Sequence, residues 1–395
     1  MKSKLLCFFV IIGQQLFSQN WQKIQDFMGT ERDDAVSFSI NNKAYCGTGL
    51  SPWFAEFGDF YSFDFYTQSW TSSASLPIGK ERQYAAAFSN DTLGFVFGGS
   101  KGNSFLNDLW MYNPANNSWI QKASLPSVGR NGSCSFVLNN VAYIVGGKTA
   151  TNEYLSEVWT YDIINNQWQQ KNSFPYGNFW RSSSKTIGQF AYLFFGKDLI
   201  NNFSNRVYKY VPSNDSWEFL SEFPLVGRAY FSVEKLYNQL YIIAGLDSSF
   251  SYYNDFWTLD LENNQWTQLQ SINTLPFKGG ISFSVGNEIY YSTGINNQNI
   301  RLKDTWKISN PTATKEFIND VEVLVYPNPV ENFLTVRSNE KIISLKLKDL
   351  NQKIVFKKQC LINNIQLDFL EYKTGIYFLE IEMENKIVRQ KILKM

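Results

Sequence analysis

Apolar residues in this 395-residue chain come in short alternating runs, four to eight long, cut by Asn, Asp, Gly, Ser and Pro. SCSFVL, VAYIVGG, EVWTYDI and QWQQK follow one another between residues 132 and 171. Each run has the period-two pattern of a half-buried strand, and the breaks between them are turn signals. No stretch shows a sustained helical period, so the pattern predicts an all-β protein. The runs also repeat. Trp21, Trp70, Trp119, Trp168, Trp217 and Trp266 fall at intervals of 49 residues, as do Gly49, Gly98, Gly147, Gly196, Gly245 and Gly294. A third series, Tyr61, Trp110, Trp159, Tyr208, Trp257 and Trp306, keeps the same interval. Three six-member series on one period define an internal repeat of four strands per unit. The third and fourth strands are joined by pairs such as Asn165-Asn166 and Asn263-Asn264, which tolerate the left-handed backbone of a tight hairpin.

Residues 21–308 resemble the kelch β-propeller family. The features that match are the strand ending in Gly-Gly or X-Gly, the WTYD strand (159–162) and the later Trp. The glycine pair is complete only at Gly98-Gly99 and Gly146-Gly147. The sixth unit lacks a fourth strand, since position 315 is Lys, while NWQKIQ (20–25) at the other end carries Trp21 in phase. The expected architecture is therefore a six-bladed kelch-type β-propeller closed by an N-terminal strand, which removes open sheet edges.

The two ends of the chain differ from the repeats. Lys2 and Lys4 precede the apolar run LLCFFVII (5–12), so residues 1–18 read as a signal peptide, too short for a membrane span. No other apolar run is long enough to cross a bilayer. Residues 19–309 form the propeller and 310–320 a linker. Residues 321–395 lack Trp and the 49-residue phase, and alternate again in segments such as GIYFLEIEME. This tail resembles the type A C-terminal sorting domain of the type IX secretion system through VYPNPVENFLTV (325–336), KLKDLNQKIVF (346–356) and LEYKTGIYFLEIEMENKIVRQKILK (370–394). The family usually has Gly where Asn351 or Gln352 sits, a mild departure. The resemblance implies a small C-terminal β-sandwich that acts as an address for the export machinery and is commonly cleaved. It also implies a protein secreted or displayed on the outer surface of a Gram-negative bacterium after Sec export to the periplasm.

Charge and chemistry narrow the function. The formal net charge is +1 and becomes −1 without Lys2 and Lys4, so nothing points to nucleic acid. Cys46 and Cys134 fall in different, non-adjacent units and Cys360 lies in the tail, which makes a disulfide framework improbable. There is no histidine. That excludes Ser-His-Asp and Cys-His catalysis and the usual His-bearing metal sites, and no metal or cofactor is expected. An acidic series, Asp59, Asp108, Glu157, Asp255 and Asp304, stands two residues before the third-strand aromatic, with Arg206 breaking it. Five copies around a ring cannot face one ligand, so these carboxylates are expected to hydrogen-bond loop backbone within each blade.

A basic series, Arg32, Arg82, Arg130, Arg181, Arg228 and Lys278, stands just before the first strand of each unit. In a four-stranded meander this loop opens on the same face as the loop between strands two and three. Two readings follow. The six cations circle one mouth of the central channel and take an acidic ligand, or each pairs with an acidic residue or carbonyl of a neighbouring blade. Two non-repeating aromatic loops open on the same face: Trp53 and Phe54 in GLSPWFAEFGD (49–59), and Tyr176, Phe179 and Trp180 in FPYGNFWR (174–181). Aromatic faces beside cations suit acidic sugars or acidic peptides, unless the rings simply cap blade ends. If the face is functional, Arg130, Arg181 and Trp180 are dispensable for stability. The sequence thus predicts a monomeric, non-catalytic binding protein for a glycan or peptide. The alternative is an enzyme similar to kelch-type sialic acid mutarotases, which need an Arg for the substrate carboxylate and a Glu or Tyr for proton transfer.

Overall fold

Burial in each unit peaks on the second strand and is least on the fourth. First strands alternate buried and half-buried positions, as in Val36–Ile40 and Cys134–Leu138. Second strands such as Val141–Val145 are buried on nearly every residue, because both of their faces are covered. Fourth strands such as Gln167–Gln170 are largely exposed. The computed structural model describes residues 20–197, 202–309, 323–326, 328–350, 353–383 and 387–394. The expected signal peptide (1–18), the linker (310–320) and the Asn351-Gln352 departure lie outside the described residues. The chain divides into two compact units, Met1–Ala313 and Thr314–Met395.

In the first unit the strands form antiparallel sheets in simple up-and-down order. Blade 1 is Val36–Ile40, Lys43–Gly47, Phe60–Asp64 and Ser69–Ser73. Blade 2 runs from Ala86–Ser89 to Ser118–Lys122, and blade 3 from Cys134–Leu138 to Gln167–Gln170. Blade 4 is Ser183–Ile187, Phe190–Lys197, Phe203–Val211 and Ser216–Glu222. Blade 5 starts at Ser232–Leu236 and adds the short Phe277–Lys278 and Ile295–Asn296. Blade 6 is Ile281–Val285, Glu288–Ser292 and Thr305–Ser309, and its fourth strand is Gln22–Lys23, which pairs antiparallel with Lys307 and Trp306. The expected exchange of an N-terminal strand is therefore present.

The core lies between blades. One cluster joins Phe38, Tyr45 and Phe60 of blade 1 to Trp110 and Tyr112 of blade 2. Another joins Phe63 and Trp70 of blade 1 to Phe283 and Tyr290 of blade 6, so apolar contact runs across the closure. The in-phase tryptophans serve this packing. Trp168 Nε1 donates to the Ala123 carbonyl of the preceding blade at 2.7 Å, and Asn166 Oδ1 accepts the Ala123 N–H at 2.9 Å. Asn117 and Trp119 hold Ala74 in the same way. Asn117 and Asn166 also take positive φ at their hairpins. One short motif thus turns the chain and clips its blade to the one before.

The second unit is one antiparallel sheet of five strands: Val323–Tyr326, Phe333–Lys348, Ile354–Asp368, Gly375–Met383 and Ile387–Lys394. The long second strand breaks register between Arg337 and Ile342, and such bulges bend a sheet. Leu334 and Val336 before the break and Leu345 and Leu347 after it share one buried cluster, which gives this unit a sandwich-like core of its own.

Candidate binding face

The six cations of the basic series do not form one ring. Arg32, Arg82, Arg130 and Arg228 have no exposed surface. Each reaches the carboxylate of its own blade: Asp59 at 2.5 Å, Asp108 at 2.8 Å, Glu157 at 2.7 Å and Asp255 at 2.5 Å. Three of these guanidiniums also donate to the carbonyls of Thr48, Gly98 and Ala244. Trp110, Trp159 and Trp257 donate their indole N–H to the same carboxylates. The acidic series is structural, as expected, but four of its members pair with this arginine rather than loop backbone, and the fifth, Asp304, pairs with Lys23. Burial pushes the Asp108 carboxyl up, yet the Arg82 hydrogen bonds and charge outweigh it and hold the group below its usual range. A period of 49 from Arg130 and Arg228 leads to Phe179 and Phe277. Arg181 and Lys278 lie two residues and one residue beyond that register, which is why the series mixed unlike positions. The consequence for Arg130 is a correction: a buried paired arginine is not dispensable for stability.

Arg181 belongs to a different set. Asp34, Tyr84, Gly132, Arg181, Tyr230 and Gly279 precede the first strands of blades 1 to 6, and all six have φ between 56° and 65°. At the four positions that carry a side chain, Asp34, Tyr84, Arg181 and Tyr230, this common left-handed turn brings the side chains together. Arg181 of blade 4 pairs with Asp34 of blade 1, its opposite in a ring of six. The guanidinium lies between the rings of Tyr84 and Tyr230, at 3.9 and 4.2 Å. Glycine leaves the room this needs, since a Cβ on Gly132 would come within 2.1 Å of the Trp180 indole nitrogen. Burial opposes the charge on Arg181, but Asp34 and the two tyrosines overcome it and raise the pKa above the ordinary arginine value. Beneath this bridge the first strands line a cavity of about 200 Å³, with serines and the Lys185–Glu234 pair on its wall.

Trp180 is also inside. It is 8% exposed, donates to Asn131 Oδ1 at 2.9 Å and meets Tyr84, Tyr154 and Tyr230 edge-on or tilted. It is therefore not the dispensable platform its loop suggested. Trp53 and Phe54 are exposed, at 66% and 74%, and Phe54 lies 4.9 Å from the Arg301 guanidinium. Arg301 in turn holds Asp33 at 2.6 Å. Burial and the neighbouring Asp34 push the Asp33 carboxyl up to about 6.

Above Trp180 stand two lysines absent from the basic series. Lys148 and Lys197 lie 5.1 and 5.9 Å from its ring centre, and Lys278 lies 4.3 Å from the ring of Tyr230. None of the three has an ion-pair partner among the described residues. Burial lowers the pKa of Lys148, and Lys197 lowers it further. Burial also lowers that of Lys278. A signal for the first two was present: Lys follows the strand-end glycine in the third and fourth units, 49 residues apart, and in no other. The structure thus brings Trp180, Arg181 and Lys278 together around Tyr230, and leaves the four buried arginines in separate blades.

Comparison with known proteins agrees with this fold. Residues 14–187 match the KLHDC2/KLHL20/DRC7 Kelch-repeats domain, residues 227–273 the Kelch motif, and residues 324–395 the secretion system C-terminal sorting domain. The fold is similar to the solved structure of YjhT, with a TM-score of 0.62 and 18% identity, over 71% of this chain and 95% of that one. No curated protein matches the chain. With kelch repeats in the propeller unit and a sorting domain in the tail, the chain is a kelch-repeat β-propeller protein that ends in a type IX secretion-system C-terminal sorting domain.

Proposed function

We propose that the propeller is a binding module for an anionic glycan or an acidic peptide, held on the face where the first strands begin. The observation that carries this reading is the group of three lysines, Lys148, Lys197 and Lys278, set against aromatic rings with no direct ion pair among the described residues, although Lys278 feels the charge of Asp34 and Asp33 from a distance. A partly desolvated ammonium is poorly satisfied until an anion arrives. Arg181 and Trp180 support the floor of that face from beneath, and Trp53 and Phe54 offer exposed aromatic surface at its rim. Arg32, Arg82, Arg130 and Arg228 take no part, because they are fully buried and paired with carboxylates inside the blades. Sec export and passage through the periplasm belong to the same proposal; the sorting tail supports secretion or surface display.

The test is a glycan and acidic-peptide array, followed by titration of each hit with a Lys148→Ala/Lys197→Ala variant. Affinity should fall about tenfold or more, fall further as salt rises, and leave thermal stability unchanged. Hits that bind the variant equally well and ignore salt would remove the site. A second reading, an enzyme moving a proton on a sialic acid, is favoured by the Asp33 carboxyl near 6 beside Arg301. Anomer exchange of sialic acid followed by NMR decides it, and a rate no faster than buffer excludes it.

A further inference from the structure

Blade 4 departs from the repeat at several positions, and the departures meet in one place. Opposite the third-strand aromatic the other regular blades carry a polar residue: Ser72 faces Tyr61, Gln121 faces Trp110, Gln170 faces Trp159 and Gln268 faces Trp257. In blade 4, Phe219 faces Tyr208. Only here does the pairing of third and fourth strands shift register, between Val207 and Tyr208. The extra residue, Leu220, packs into the cluster between blades 4 and 5, and Phe219 stays 52% exposed. The buried arginine is replaced by Phe179, and its acidic partner by Arg206, which turns outward to Glu222 at 3.1 Å. Tyr176, from the loop between blades 3 and 4, stacks on Tyr208 with ring centres 4.5 Å apart and planes 21° from parallel. Its hydroxyl donates to the Trp217 carbonyl at 3.3 Å, which fixes the ring in place. Tyr176, Arg206, Tyr208, Phe219 and Glu222 line a cavity of about 250 Å³ on the outer edge of the blade.

We propose that this groove is a second, separate site, and that it takes a neutral pyranose ring of a polysaccharide. The C–H face of a pyranose lies flat on exposed aromatic surface, which Tyr176 and Phe219 supply. Its hydroxyls both donate and accept, while Arg206 only donates and Glu222 only accepts, so the pair covers both needs. The two charges cancel, which favours a neutral ligand over an anionic one. The volume is just below the usual range for ligand pockets and suits a single ring. A peptide strand would use the free edge of Ser216–Glu222, but the bulge at Leu220 interrupts the regular bonding that strand addition needs.

The experiment is saturation-transfer NMR on the full chain with hexasaccharides of β-1,4-glucan, α-1,4-glucan, β-1,4-mannan and β-1,4-N-acetylglucosamine at millimolar concentration. Phe219→Gln is the informative variant, since it restores the residue type found in three other blades and so keeps the fold, which circular dichroism checks. Saturation should reach ring C–H protons of at least one probe, weaken about tenfold in Phe219→Gln, and persist in Lys148→Ala/Lys197→Ala. The last comparison separates this groove from the lysine face. Failure of all four probes to bind, or equal saturation in Phe219→Gln, overturns the proposal. So does a wild-type dimer in sedimentation that Phe219→Gln disperses, because the occupant is then a second copy of the chain.

Discussion

Arg82 shows what a single residue does in this molecule. Its guanidinium has no exposed surface and holds both oxygens of Asp108, at 2.8 and 3.0 Å. Removing one partner of a buried pair leaves the other charge without compensation, at a cost of about 3–5 kcal/mol. Arg82→Ala should therefore destabilise the propeller by that amount in urea unfolding at pH 7. The pH dependence has a definite sign. Asp108 is held below its unfolded value, so its contribution is present above the ordinary carboxylate range and is lost as pH falls through the folded value. The gap between wild type and Arg82→Ala should then narrow at about pH 3, below the unfolded carboxylate value. An equal gap at both pH values would show that the pair is not what Arg82 contributes. Arg181 makes the complementary point: one arginine bridging opposite blades cannot be replaced by any of the four that staple single blades.

At the scale of the element, the asparagine hairpin and its tryptophan act as a unit. Trp168 packs on Phe97 and Tyr161, with ring centres 5.5 and 5.0 Å away. Trp168→Ala should cost about 3 kcal/mol, the low end for a large aromatic, because the ring is only half-buried. Asn166→Ala should cost about 1–3 kcal/mol. It leaves the Ala123 N–H and the Tyr161 hydroxyl without their acceptor and places alanine at φ 55°. Both residues grip Ala123, so the double variant should lose less than the two single losses combined. Strict additivity in urea melts would refute the shared clip.

For the whole molecule, the propeller and the tail have separate cores, one set of clusters between blades and another within residues 323–392. Deleting residues 321–395 should leave the propeller with an unchanged melting temperature but retained inside the cell. Fractionation of the producing bacterium reads the second part, and normal surface delivery of the shortened chain would contradict it. The proposed binding face uses residues from several blades at once, with Lys148, Lys197, Lys278 and Arg301 drawn from separate parts of the ring. Such a site exists only when the ring is complete, so a deletion within a blade should abolish ligand binding together with folding.

The period of 49 by itself determined the strand units, the in-phase tryptophans and the closing role of Trp21, because every unit must bury the same surface against its neighbour. The same periodicity marked the acidic series as structural. Tertiary structure alone decided which cations are free. Before folding, Arg130 and Arg181 look alike, each a few residues ahead of a first strand. A shift of two positions sends one into a blade and the other across the channel axis, since successive residues around a left-handed turn point in different directions. Trp180 and Trp53 could not be told apart either, both lying in non-repeating aromatic loops, until packing buried one beneath Lys148 and left the other in solvent. Phe219 was invisible for a further reason: its partner across the strands is set by a one-residue bulge, which shows only in the paired sheet.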